Sequence, residues 1–274
     1  MKNKAYNMKS IILILIFMLP FKIFATNISN DELVKRVLIE SGIDRQLSSY
    51  NEVLSLTIDQ AFALEEKISD EEKYRLKSNF LNNLNNEKLI KLVEINVGKR
   101  LTKSELNKAL KIYKDPFFKK FLQSEVNSAN PEALQEMAIF VSKIGQNSPS
   151  NFRLQLINRL DAATKSTESS KVIVNNIFVS VMKNLNKINK KYTEDQLSEI
   201  INNYIFALEQ GLGNQVKLFY LFTYKDFTDK ELEKYITIYE ENSEQTKIND
   251  ALISSVNDFF VEYAVLVSNS FAQI

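Results

Sequence analysis

Leu101-Thr102-Lys103-Ser104-Glu105-Leu106-Asn107-Lys108-Ala109-Leu110-Lys111-Ile112-Tyr113-Lys114-Asp115-Pro116 spells out one helix from its first cap to the start of the next. Thr102 and Glu105 have capping-box spacing: the hydroxyl accepts from an early backbone N–H and the carboxylate reaches back to the cap residue. Leu106, Ala109, Leu110 and Tyr113 then fall at i, i+3, i+4 and i+7, the apolar stripe of an α-helix. Asp115-Pro116 opens a second helix, because Asp caps well and Pro is favoured at the first helical position.

The same pattern recurs outward in both directions. Ser69…Glu72, Thr193…Gln196 and Thr228…Glu231 repeat the capping box, and Asn130-Pro131 repeats the cap-then-proline start. Gly42, Gly145 and Gly211 stand where helices are expected to stop. Between these marks the apolar period is helical. Leu47, Leu54, Ile58, Ala61 and Phe62 share one face, and Val174, Ile177, Phe178, Val181 and Leu185 share another. Val172-Ile173-Val174 is β-branched, yet the helical period continues to Ile188 and no hairpin turn follows. Five Gly and four Pro leave little turn chemistry for a many-stranded fold. The chain reads as all-α.

An internal repeat sets the expected architecture. Shifted by 126 positions, residues 90–115 overlie 216–241 with nine identical pairs, among them Thr102/Thr228, Glu105/Glu231, Leu106/Leu232 and Tyr113/Tyr239. The apolar stripes coincide as well, since Leu232, Tyr235, Ile236 and Tyr239 match Leu106, Ala109, Leu110 and Tyr113. Gly145-Gln146-Asn147-Ser148-Pro149-Ser150 is the turn-forming stretch between the copies. The expectation is two tandem helical-bundle units, residues 26–145 and 146–274, packed closely together.

Residues 1–25 have the order of a secretory signal peptide. Lys2, Lys4 and Lys9 precede an uncharged run from Ser10 to Phe21, Pro20 breaks it, and Ala25 offers a cleavage point. The run falls short of the ~20 apolar residues a bilayer span needs; the alternative is a signal retained as an anchor. No Cys follows it, which excludes a lipid-anchored form. Cleavage removes four lysines and no acid from a chain with 35 Lys plus Arg and 34 Asp plus Glu, leaving a mildly acidic remainder. That balance argues against a nucleic-acid partner and for a periplasmic or secreted protein.

The composition also bounds the chemistry. With no His and no Cys, the Ser-His-Asp triad, the thiol nucleophile, the HExxH zinc site and the disulfide are all excluded. No catalytic residue, metal ligand or cofactor is assigned. Glu105 and Glu231 read as cap acids, and Asp70-Glu71-Glu72 as an acidic first helical turn rather than a cation seat. Six residues are the candidates for lining a groove. Arg159 and Asp161 sit, with Arg153, in an otherwise apolar helix, where the alternative is an ion pair at the seam between units. Tyr113 and Tyr239 carry hydroxyls at repeat-equivalent positions. Phe219 and Tyr220 belong to Phe219-Tyr220-Leu221-Phe222-Thr223-Tyr224, either a helix buried between units or the wall of an acyl-chain pocket.

The segment from Leu101 to Pro116 resembles a helical domain of unknown function found in exported bacterial proteins. That family shows a Thr-x-x-Glu-Leu helix start leading to an aromatic-Tyr-x-Ser-Pro-x-Gly segment. Thr102, Glu105, Leu106, Tyr113 and Pro116 match it, while Ile112, Asp115 and Phe118 stand in place of the aromatic, Ser and Gly. Leu38-Ile39-Glu40-Ser41-Gly42-Ile43 and Arg159-Leu160-Asp161-Ala162-Ala163-Thr164 are similar to further stretches of its longer members. The resemblance implies an exported α-helical protein and no established activity. The functional expectation is a non-catalytic binding or scaffold module of the cell envelope; the alternative is a carrier of a lipid or other apolar molecule. Its partners would be an envelope protein or an apolar ligand. Asn257, Asp258 and Glu262 interrupt the last apolar helix, so no span is expected there, and peripheral membrane contact is its sharper option.

Overall fold

The structure, a computed structural model, describes residues 31–48, 69–146, 148–189 and 192–272, with isolated positions between 51 and 59. The leader at 1–25, its cleavage at Ala25, and the face of Leu54, Ile58, Ala61 and Phe62 lie outside them. In chain order the helices are α1 (Asp31–Ser41), α2 (Ile43–Ser48), α3 (Asp70–Asn83), α4 (Asn86–Arg100), α5 (Lys103–Tyr113) and α6 (Pro116–Ser128). There follow α7 (Pro131–Ile144), α8 (Asn151–Thr164), α9 (Ser166–Asn189), α10 (Glu194–Thr223), α11 (Asp229–Glu241) and α12 (Ser243–Ala272). The protein is all-α, and no strand occurs among the described residues.

Local chemistry places the helix starts. Thr102, Thr193 and Thr228 each accept from the backbone N–H three residues on, and Glu105, Gln196 and Glu231 close their capping boxes. Asp115 and Asn130 cap α6 and α7 ahead of Pro116 and Pro131. Gly42 ends α1 at φ +78°, a conformation that glycine adopts without steric cost. Gly211 does not end a helix: α10 runs through it and Gly213. Leu197, Ile201, Leu212, Val216 and Tyr220 bury along α10 on both sides of the glycines. That burial outweighs a cost of about 1 kcal/mol per glycine relative to alanine.

Similar elements recur at fixed intervals. Ser41 and Thr164, 123 residues apart, each turn their hydroxyl back onto the carbonyl three residues earlier. The next residue in each case, Gly42 or Lys165, takes a positive φ. α1 packs on α5 as α8 packs on α11. Leu106, Ala109, Leu110 and Tyr113 are buried from α5, and Leu232, Tyr235, Ile236 and Tyr239 from α11.

The principal core draws on both sides of the Gly145–Ser150 turn, from Val34 through Leu122 and from Leu156 through Val267. α12 accounts for much of that continuity. It lies against α9, with Leu252, Val256, Phe260 and Tyr263 buried, and also runs along α4 and α3. Tyr263 donates to the Phe80 carbonyl at 2.9 Å, Lys88 meets Glu262, and Arg100 donates to Ser254 at 2.6 Å. A satellite core of Phe178, Met182, Leu197, Ile201 and Leu212 joins α9 to α10. Another, of Ala133, Met137 and Phe222, seats α7 on the end of α10.

A tyrosine-rich seam as the candidate functional site

Among the described residues, buried hydroxyls and a carboxyl group gather where α6 meets the end of α10 and the face of α11. α6 presents Phe118, Phe121, Leu122 and Glu125 at i, i+3, i+4 and i+7, so a carboxyl group occupies the last place in an apolar stripe. Tyr224 caps the C-terminus of α10, and Tyr235 and Tyr239 stand one turn apart on α11. Tyr224 and Tyr235 both donate to Glu125 Oε1, each at 2.6 Å, and the Tyr235 and Tyr239 hydroxyls are 3.0 Å apart. The rings close around this chain of hydroxyls. Phe121 stacks on Tyr235 at 4.1 Å, and Phe118 touches Tyr235, Tyr239 and Tyr113 at 5.0, 5.7 and 5.8 Å.

Tyr113 extends the network to α12 by donating to Gln245 Oε1 at 3.3 Å. Tyr220, ring-to-ring with Tyr224 at 5.8 Å, forms a second polar knot. Its hydroxyl contacts Thr164 at 2.8 Å and also Ser166, while Asn249 donates to the Thr164 carbonyl. The knot sits at the left-handed break between α8 and α9, where Lys165 has φ 53°. It gives two hydroxyls at a helix junction a buried partner, as burial of polar groups requires.

Electrostatics mark the seam as a place where charge is resisted. Desolvation pushes the phenols of Tyr113, Tyr224, Tyr235 and Tyr239 well above their ordinary value, and the nearby Glu125 carboxyl adds to this. Tyr220 and Tyr263 are raised by burial in the same way. The hydroxyls therefore act as neutral donors near pH 7, and proton abstraction by a phenolate is disfavoured.

The six groove candidates separate into two groups. Tyr113, Tyr239 and Tyr220 come together in the seam, all of them buried, while Phe219 lies half-buried beside the satellite core under α7. Arg159 and Asp161 lie on α8 with partners of their own. Arg159 grips Glu240 with two hydrogen bonds of 3.1 and 2.8 Å and reaches Glu233 at 3.4 Å. Asp161 accepts from the Thr167 N–H at 2.8 Å and its hydroxyl at 2.6 Å, capping the start of α9. Arg153 clasps the turn before α11, bonding Asp229 at 2.9 Å and the carbonyls of Tyr224 and Phe227 at 2.5 and 2.9 Å.

The cap acids serve helix starts. Glu105 is held down to about 2, first by the hydrogen bond from Lys247 and then by the Thr102 N–H and hydroxyl. Glu231 is lowered chiefly by Thr228. Glu125, the acceptor at the centre of the seam, belongs to no sequence motif; its place in the stripe of Phe118, Phe121 and Leu122 is the signal that would have found it. No protein-family model, curated protein or solved structure matches this chain.

Proposed function

We propose that this chain is an exported, non-catalytic binding or scaffold module of the cell envelope, built from one helical unit written twice. One observation carries the reading: the polar side chains that stand out in the sequence are engaged in joining helices. Tyr113 holds Gln245, Tyr220 meets Thr164, Arg159 grips Glu240 and Asp161 caps α9. Recognition then falls to the outward faces of the helices. The order of charge and apolar residues over positions 1–25 supports export. The recurrence of caps, left-handed breaks and buried stripes at intervals of 123 to 126 residues supports duplication.

The test is fractionation of the protein in its own host, followed by cross-linking and mass spectrometry. The expected result is a mature N-terminus near residue 26 in an exported fraction, with one envelope protein cross-linked reproducibly. Full-length protein confined to the cytoplasm would overturn export. A stoichiometric apolar molecule released on denaturation would replace the scaffold reading with the carrier.

A further inference from the structure

The two repeat-equivalent segments carry opposite charge. Residues 96–124 hold seven lysines and one arginine against two acids, whereas residues 222–250 hold four lysines against eight acids. The difference is concentrated on a single helix face. Lys103, Asn107, Lys111 and Lys114 occupy positions on α5 that correspond to Asp229, Glu233, Thr237 and Glu240 on α11. On α11 those carboxylates are met from α8, by Arg153 and Arg159. α1 packs on α5 as α8 does on α11, and Arg36 stands 123 residues before Arg159. The arginine position is thus kept in the first half, while the carboxylates it would neutralise are replaced by lysine and asparagine.

What remains is an excess of lysine on α5 and the end of α4, beside a mixed α1 that sets Asp31, Glu32 and Glu40 against Lys35 and Arg36. Glu40 of α1 meets Lys114 at 3.8 Å and Lys119 at 3.4 Å. Lys99, Lys103 and Lys111 are exposed, and none has a carboxylate in ion-pair range among the described residues. Two large apolar side chains share these faces. Ile39, 56% exposed, lies one turn from Arg36 on α1, and Ile95, 43% exposed, lies one turn from Lys99 on α4.

We propose that the face formed by α1, α5 and the end of α4 docks onto a bilayer rich in anionic phospholipid. The charge type favours a lipid plane over a protein partner. Lysine is a compact, mobile point charge that suits a diffuse layer of phosphates, whereas protein interfaces enrich arginine and deplete lysine. Ile39 and Ile95 supply apolar groups for the headgroup boundary, as peripheral membrane faces require. The whole chain is nearly neutral at +1, and residues 26–145 balance 18 basic against 18 acidic side chains, so the attraction is local to the lysine-rich stretch at 96–124, with the acidic stretch at 222–250 facing a weaker pull.

The experiment is co-sedimentation of the full chain with vesicles of equimolar phosphatidylglycerol and phosphatidylcholine, compared with phosphatidylcholine alone, at low and high salt. Binding is expected to the anionic vesicles at low salt only. The variant K99Q/K103Q/K111Q should lose about 100-fold in partitioning, at about fivefold per lysine, with an unchanged melting temperature. A matched variant elsewhere, K143Q/K183Q/K230Q, should lose several-fold less. Equal losses in the two variants, no binding to anionic vesicles, or displacement from them by polyglutamate at equal charge would each overturn the proposal.

Discussion

Glu125 shows how much one side chain can organise. Its Oε1 accepts from both Tyr224 and Tyr235, so Glu125→Leu leaves two buried hydroxyls without their acceptor. We expect that change to cost about 2–4 kcal/mol, with Glu125→Gln costing less because its carbonyl still accepts; chemical denaturation of the three proteins checks the order. Glu105 provides a pH-dependent counterpart. Its folded value, about 2, lies below the ordinary 4.5. Its contribution is therefore present in full above about pH 5 and fades as pH falls toward 2. The melting temperature of Glu105→Gln should lie below that of the parent at pH 7 and converge with it near pH 2. Glu105 was legible as a cap, since its partner is three residues away. The stripe it closes marks Glu125 as inward-facing, but its partners were not legible, because the phenols it serves are 99 and 110 residues distant and no local pattern encodes that meeting.

Helix starts were legible because caps are decided within four residues, and Thr102, Thr193 and Thr228 all cap as their spacing predicts. Helix ends were less so. Gly42 terminates α1 while Gly211 lies within α10, and the difference rests on what surrounds each residue. At Gly211 an added Cβ would meet nothing within 4 Å, so Gly211→Ala should stabilise by about 0.5–1 kcal/mol through the unfolded chain. At Gly42 the φ of +78° and the closeness of Val126 oppose any side chain, and Gly42→Ala should destabilise by at least about 1 kcal/mol. Lys165 occupies the comparable left-handed position without a glycine's freedom. Lys165→Gly should be neutral or mildly stabilising by denaturant midpoint, because relief of about 1 kcal/mol of backbone strain exceeds the loss of an exposed pair with Asp250.

At the scale of the molecule, the all-α class was readable from periodicity, and so were the buried stripes of α5 and α11. The path of α12 was not: its apolar face predicts burial, but nothing in it specifies α3 and α4 as well as α9. Because the core is continuous through both halves, residues 26–145 and 146–274 expressed apart should each lack a cooperative melt, and mixing them should restore one, as read by near-UV circular dichroism. The buried phenols give a second global signature. Their folded values lie above the ordinary 10, so the unfolded state loses protons first as pH rises. Stability is then complete below about pH 10 and declines above it, and tyrosinate absorbance should rise cooperatively with loss of helix rather than in a shallow titration. An early, shallow titration of all the tyrosines would show that the seam admits water.

The partners of α12 also bear on how the chain matures. A ribosome delivers α3 and α4 long before α12, yet the stripe those helices turn toward it stays uncovered until residues near Tyr263 have been made. Closure of the first half thus waits until α12 has been made, and the nascent chain spends that interval with greasy surface open to proteases and holding chaperones.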